Sequence, residues 1–144
     1  MADQAIQGYA IDALKLGMSA TYERTVTLAD IEAFAAVSGD HNPVHLDDDY
    51  AKTTRFKGRI AHGMLGASFI STAIASQLPG PGSIYLAQSL SFKAPVRPGD
   101  KVETVITVAE IVADKNRVVL KTQCRVGATV VIDGEATVLV PPKS

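Results

Sequence analysis

A chain of 144 residues argues for one domain, 1–144, long enough to bury a core without disulfide or metal staples. A net charge of −1 offers no strong attraction to nucleic acid or to an anionic membrane, so neither is an expected partner. The single cysteine, Cys124, excludes an internal disulfide or a thiolate cluster, and the first residues lack the apolar run of a signal peptide, so a cytoplasmic protein is the expectation.

Residues 1–18 are poorly patterned and read as irregular. Ser19 to Thr27 alternates as a strand. Thr27 then offers an N-cap, with Asp30 three residues on, and Leu28, Ile31, Phe34 and Ala35 have helical spacing up to Gly39. A short loop, Asp40 to His45, leads to a second short helix over Asp47 to Thr53, capped by Asp47. From Ile60 to Phe92 there is no Lys, Arg, Asp or Glu. Within that stretch Gly63 to Leu78 reads as a helix with no face built for water, stopped by Pro79-Gly80-Pro81-Gly82. It is too short and too rich in Ser, Thr and Gly for a membrane span. A helix buried all round in so short a chain needs a curved sheet to enclose it.

The sheet follows. Ser83 to Ala94 alternates, with Ile84, Leu86, Leu90 and Phe92 on one side. Val102, Ile106 and Val108 share a face, as do Val118, Leu120, Cys124 and Val126, and Val130 to Val140 makes the last strand. Short turns at Arg97-Pro98-Gly99-Asp100, Asp114-Lys115-Asn116 and Gly127 favour an antiparallel meander. Asp133-Gly134 is either a hairpin turn or a bulge, and a bulge fits better. The fold class is α+β, and Cys124 is expected as a buried, inert thiol.

Three polar features can carry chemistry. In Ser38-Gly39-Asp40-His41-Asn42-Pro43-Val44-His45, the proline disfavours helix at Asn42, so the loop can bring Asp40 and His45 together around one water as an acid–base pair. The same residue types also make ordinary turns. His62-Gly63 sits at the mouth of the uncharged helix, where a free N–H can hold a developing oxyanion, unless Gly63 only packs against a strand. Ser71 and Gln88 either line the site or satisfy each other. Lys52, Arg55, Lys57 and Arg59 form a basic cluster that is either a solvated surface or a landing site for phosphates. No His pair or Glu-His spacing supports a metal, and no nucleophile elbow or phosphate loop is present.

Ser38 to His45, then Ala61-His62-Gly63-Met64, resemble the MaoC-like hydratase family. Gly82-Ser83-Ile84-Tyr85-Leu86 and Phe92-Lys93-Ala94-Pro95-Val96 resemble its bacterial (R)-specific enoyl-CoA hydratases linked to polyhydroxyalkanoate synthesis. The similarity runs from about Ser19 to Val140. It implies a single hot-dog domain, its curved sheet wrapped around the helix at 63–78, and a homodimer with active sites near the interface. Asp40 and His45 match the family's catalytic pair, holding a water beside the 2,3 double bond of a trans-2-enoyl-CoA to give the (3R)-3-hydroxyacyl-CoA, with their proton roles coupled. Gly63 N–H matches the group that polarises the thioester carbonyl, Asn42 fixes the loop, and Ser71 supports the site. His62, Gln88, Arg55, Lys57 and Arg59 are further candidate substrate contacts, and Ile74 and Ala75 candidate limits on acyl length. No metal or redox cofactor is implied; coenzyme A belongs to the substrate. Asp48 and Arg59 stand where relatives often carry proline, which puts loop geometry in question more than chemistry. Rival readings are a hot-dog acyl-CoA thioesterase, a non-catalytic acyl-CoA binding module, and a hydratase of an acyl-carrier-protein-linked or branched dicarboxyl enoyl thioester.

Overall fold

A computed structural model describes residues 7–143. In chain order these form β1 (Ser19–Thr25), α1 (Leu28–Ser38), α2 (Pro43–Leu46), α3 (Asp48–Lys52), α4 (Gly63–Ser76), β2 (Ile84–Phe92), β3 (Lys101–Val112), β4 (Arg117–Val126) and β5 (Thr129–Leu139). The period-two pattern decides the inner face of the sheet. β3 turns Val102, Thr104, Ile106 and Val108 inward, β4 turns Val118, Leu120, Thr122 and Cys124 inward, and all eight are buried. Against this face lies α4, which buries Leu65, Phe69, Ile70, Ala73 and Ile74 on one stripe. Each large apolar side chain removed from water in this layer contributes about 1.5–3 kcal/mol before entropy is charged against it. The strands run in the order β1-β3-β4-β5-β2, every neighbouring pair antiparallel, so the sheet curls round one helix in an α+β hot-dog arrangement.

Several expectations need correction. The meander holds only for β3, β4 and β5. β2 precedes them in the chain but pairs with β5 and forms the far edge of the sheet. As an edge strand it is not half-buried: Ile84, Tyr85, Leu86 and Phe92 are exposed, and a register irregularity between Tyr85 and Ala87 breaks the alternation. Nor is α4 enclosed all round. It ends at Ser76, and Met64, Thr72, Ala75 and Ser76 are exposed along the strip that five strands do not reach.

Asp133-Gly134 is neither turn nor bulge, since both residues pair in register with β4 and with β2. The extra residue is Val131: Cys124 faces Ile132 and Arg125 faces Val130, so Val131 and Ile132 both point inward and are buried. Gly134 answers a different need. A Cβ there would lie 1.9 Å from the Ser89 carbonyl oxygen.

Of the stretch expected to be irregular, residues 1–6 lie outside the described residues. From Gly8 the chain is tied down: Gly8 and Tyr9 N–H donate to Pro81 and Pro79 carbonyls at 2.8 Å, a 3-10 turn spans Ile11–Ala13, and Ile11 and Leu14 enter the core. No helix among the described residues is long and apolar enough to cross a membrane.

Candidate active site

The site is assembled from the end of α1, the α2 turn and the start of α4. Thr27 and Asp30 cap α1 reciprocally: Thr27 Oγ1 accepts from Asp30 N–H at 3.0 Å and Asp30 Oδ2 accepts from Thr27 N–H at 3.1 Å. Arg24 Nη2 lies 2.6 Å from Asp30 Oδ1, and that hydrogen bond, ahead of the cost of burial, draws the Asp30 carboxyl below its ordinary value. Gly39 closes the helix at φ 81°, a left-handed cap.

The chain then turns on a run of short side-chain bonds. Ser38 Oγ accepts from Asp40 N–H at 3.1 Å, Asp40 Oδ1 from Asn42 N–H at 3.1 Å, and Asn42 Oδ1 from Val44 N–H at 3.2 Å. Asn42 is thus the N-cap of α2, with Pro43 in the first helical position where its missing N–H has no consequence. His45 therefore rides on a helical turn, where the sequence suggested a loop running to His45. Pro43 bends the chain before it, as anticipated.

His45 is 8% exposed, and its Nδ1 lies 2.8 Å from the Ile60 carbonyl. A carbonyl oxygen only accepts, so Nδ1 carries the hydrogen, and in the neutral imidazole Nε2 presents a lone pair. Arg59 Nε–H donates to the His45 carbonyl at 2.7 Å and steadies the turn from behind. His62 is 3% exposed at the N-cap position of α4. Its Nε2–H donates to the Asp40 carbonyl at 3.0 Å, and its ring stacks on His45 with centroids 3.8 Å apart. Phe34 lies on it at 4.9 Å.

Asp40, His45, His62 and Gly63 line one chamber of about 320 Å³, walled by Phe34, Met64 and Phe92. Gly63 opens α4, so its N–H has no intrahelical acceptor. A Cβ on it would lie 2.9 Å from the Phe92 ring, so the glycine also admits that ring at the chamber wall, and the alternative of tight packing against a strand holds as well. Two larger cavities adjoin. One of about 460 Å³ shares His62, Gly63 and Phe92 and brings in the cations Arg55 and Lys93. The other, of about 570 Å³, shares Phe34 and Met64 and includes Ser71, Tyr85 and Gln88.

The remaining candidates scatter. Ser71 and Gln88 line the larger cavity but do not satisfy each other: Gln88 accepts from Tyr85 OH and donates to Thr122 Oγ1 at 2.9 Å and to the Ser89 carbonyl at 2.8 Å. The basic cluster splits. Arg55 lines the cationic cavity and Lys57 is exposed at a left-handed φ of 62°. Arg59 is half-buried, donates its Nε–H to the His45 carbonyl and lines none of these three cavities. Ile74 is 2% exposed inside the core and Ala75 is exposed, and neither lines these three cavities. Cys124 is buried as expected, and burial pushes its thiol up from the ordinary range.

What sequence reasoning missed is the stack of His62 on His45, with the Phe34 ring tilted against His62. Only the proximity of His62 to Gly63 pointed to it. Asp40, His45 and His62 bring possible ligand atoms within 4.8 Å of one another. The two rings lie 26° from parallel, so their in-plane lone pairs run side by side and do not converge on one ion about 2 Å from both.

Residues 13–131 match the MaoC like domain family. The chain is 52% identical over 142 residues to an (R)-specific enoyl-CoA hydratase of Rhodospirillum rubrum, covering 99% of this chain and 98% of that protein. An (R)-specific enoyl-CoA hydratase of Aeromonas caviae is 45% identical, covering 89% and 96%. Among solved structures, the unliganded R-hydratase PhaJ1 of Pseudomonas aeruginosa superposes with a TM-score of 0.90 at 47% identity, covering 96% of this chain and 89% of that one. With a hot-dog sheet, one long helix and an Asp-His chamber at that helix's start, the chain belongs to the MaoC-like domain family.

Proposed function

We propose that this protein is an (R)-specific enoyl-CoA hydratase, adding water reversibly across the 2,3 double bond of a trans-2-enoyl-CoA to give the (3R)-3-hydroxyacyl-CoA. One observation carries the reading: Asp40 and His45 line the same chamber as Gly63, the first residue of α4, while His45 Nδ1 is engaged with the Ile60 carbonyl. A water held between carboxylate and imidazole gives up one proton to the pair as its oxygen bonds C3. The π electrons of the double bond move into the thioester as an enolate, which the Gly63 N–H stabilises at the positive end of α4. The pair then returns one proton to C2, so hydration leaves the enzyme unchanged. In this reading Asn42 fixes the turn that carries His45, and Ser71 supports the cavity beyond Met64.

The reading needs no metal or redox cofactor, because coenzyme A arrives as part of the substrate. The cavity with Arg55 and Lys93 suits the thioester's anionic carrier, and the more apolar one with Leu86, Leu90 and Met64 suits the acyl chain. The protein is taken as a single cytoplasmic domain that works as a homodimer. The exposed apolar edge strand β2 supports that assembly, since such an edge is rarely left open.

The test is a hydration assay on crotonyl-CoA and a longer enoyl-CoA with product chirality determined, on wild type, Asp40→Asn and His45→Ala. Each variant is expected to lose about 10²–10⁴-fold in kcat with folding retained. Thiol release from saturated acyl-CoA, or full hydration by either variant, would overturn the assignment.

A further inference from the structure

We propose that His62 is a positioning residue for the reaction, fixing both members of the acid–base pair through one side chain; this rests on the hydratase reading. Its ring makes two different contacts. Nε2–H donates to the backbone carbonyl of Asp40 at 3.0 Å, which ties the end of α1 to the start of α4 across 22 residues. One face stacks on the His45 ring at 3.8 Å, and the Phe34 ring lies tilted against His62 at 4.9 Å. His45 is already tethered at Nδ1 by the Ile60 carbonyl. A tether alone leaves the ring free to swing about that bond, and the stacked face of His62 stops the swing. Nε2 of His45 is then held at a fixed angle to the Asp40 carboxylate.

Stability alone does not account for this histidine. It occupies the N-cap position of α4 yet makes no cap bond to its own helix, where Ser, Thr, Asp or Asn would. Its Nδ1 is buried with no hydrogen-bond partner among the described residues. A phenylalanine would stack without stranding that nitrogen, and a glutamine would donate without stacking. Only a flat ring bearing an N–H makes both contacts.

The experiment separates them. His62→Phe keeps the stack and loses the donor; His62→Gln keeps a donor and loses the stack. Steady-state hydration of crotonyl-CoA is measured on the full chain, with circular dichroism to confirm folding. Each variant is expected to lose about 10–100-fold in kcat, the effect of a misplaced catalytic group, with KM within about threefold of wild type. Long-range ¹H–¹⁵N spectra of the histidine rings are expected to show a single Nδ1–H form of His45 in wild type and a mixture of forms in His62→Gln. Wild-type kcat in both folded variants would overturn the proposal, as would a rise in KM alone, which would mark His62 as a substrate contact. If the wild type hydrates no enoyl thioester, the hydratase reading fails by itself. The ring spectra still decide the positioning role, since an unchanged His45 form in both variants refutes it.

Discussion

Gly134→Ala tests whether β2 is held to the sheet as tightly as the geometry demands. The new Cβ would lie 1.9 Å from the Ser89 carbonyl oxygen and 2.8 Å from its carbon, both backbone atoms that no side-chain rotation can move. A carbon–oxygen contact needs about 3.3 Å, so β2 must retreat by about 1.4 Å at this point. Ladder bonds do not survive such a shift. The pairs Ser89↔Glu135, Leu90↔Gly134 and Ser91↔Asp133 flank the clash, and losing two or three bonds at about 1 kcal/mol each, with part of the burial of Leu90, amounts to about 3–4 kcal/mol. For a chain of this size that lowers Tm by about 10–15 °C. Thermal unfolding followed by circular dichroism reads it directly. Gly127→Ala serves as the control, because φ there is 59° but nothing lies within 4 Å, so only the left-handed penalty of about 1–2 kcal/mol applies. A Gly134→Ala protein that melts within a few degrees of wild type would refute the claim that this close approach is obligatory.

Two further outcomes follow from the caps and cations. Asp30→Ala removes the reciprocal cap of α1 and the Arg24 pair, and is expected to cost about 1–2 kcal/mol at pH 7 by urea unfolding. Because the folded state holds the Asp30 carboxyl below its ordinary value, chiefly through the Arg24 hydrogen bond, the pair's contribution is complete above about pH 5 and fades as pH falls through the depressed value. The gap to wild type should therefore narrow on acidification; a gap that widens would contradict the assignment. Arg59→Ala and Arg55→Ala should differ in kind. The first frees the His45 carbonyl and lowers kcat by about tenfold, while the second removes a cation from the cavity wall and raises KM for coenzyme A thioesters several-fold, both read by steady-state kinetics.

Much of this site was legible before any coordinates. Thr27 with Asp30, Gly39 and Asp47 sit at the helix boundaries their chemistry implies, because capping is local. The inward faces of β3 and β4 follow from alternation alone. The shift of the bulge from Asp133-Gly134 to Val131 lies inside the β4–β5 hairpin, where residue type alone does not mark the extra position. The pairing of β2 with β5 and the open strip of α4 depend on which strand lies beside which. Neighbours separated by some 45 residues leave no mark in a period of two. The same holds for the site. Residue type and spacing left Asp40 and His45 open to an ordinary turn, and the family resemblance singled them out with Gly63; the three line one chamber, but a ring stacked on another ring has no linear signature, so His62 was reduced to a possible substrate contact. Arg59 is a similar case, since a basic run does not show that its Nε–H meets the His45 carbonyl.

The strand order also fixes a schedule for synthesis. β2 carries the Phe92 wall of the chamber, yet its ladder partner within the chain is β5, which follows it by two further strands. Until β5 has been made, a nascent chain holds Asp40 and His45 in a vessel lacking one side. The chamber is therefore complete only once β5 is in place, and a chain cut short before β5 keeps Asp40 and His45 without the enclosure around them.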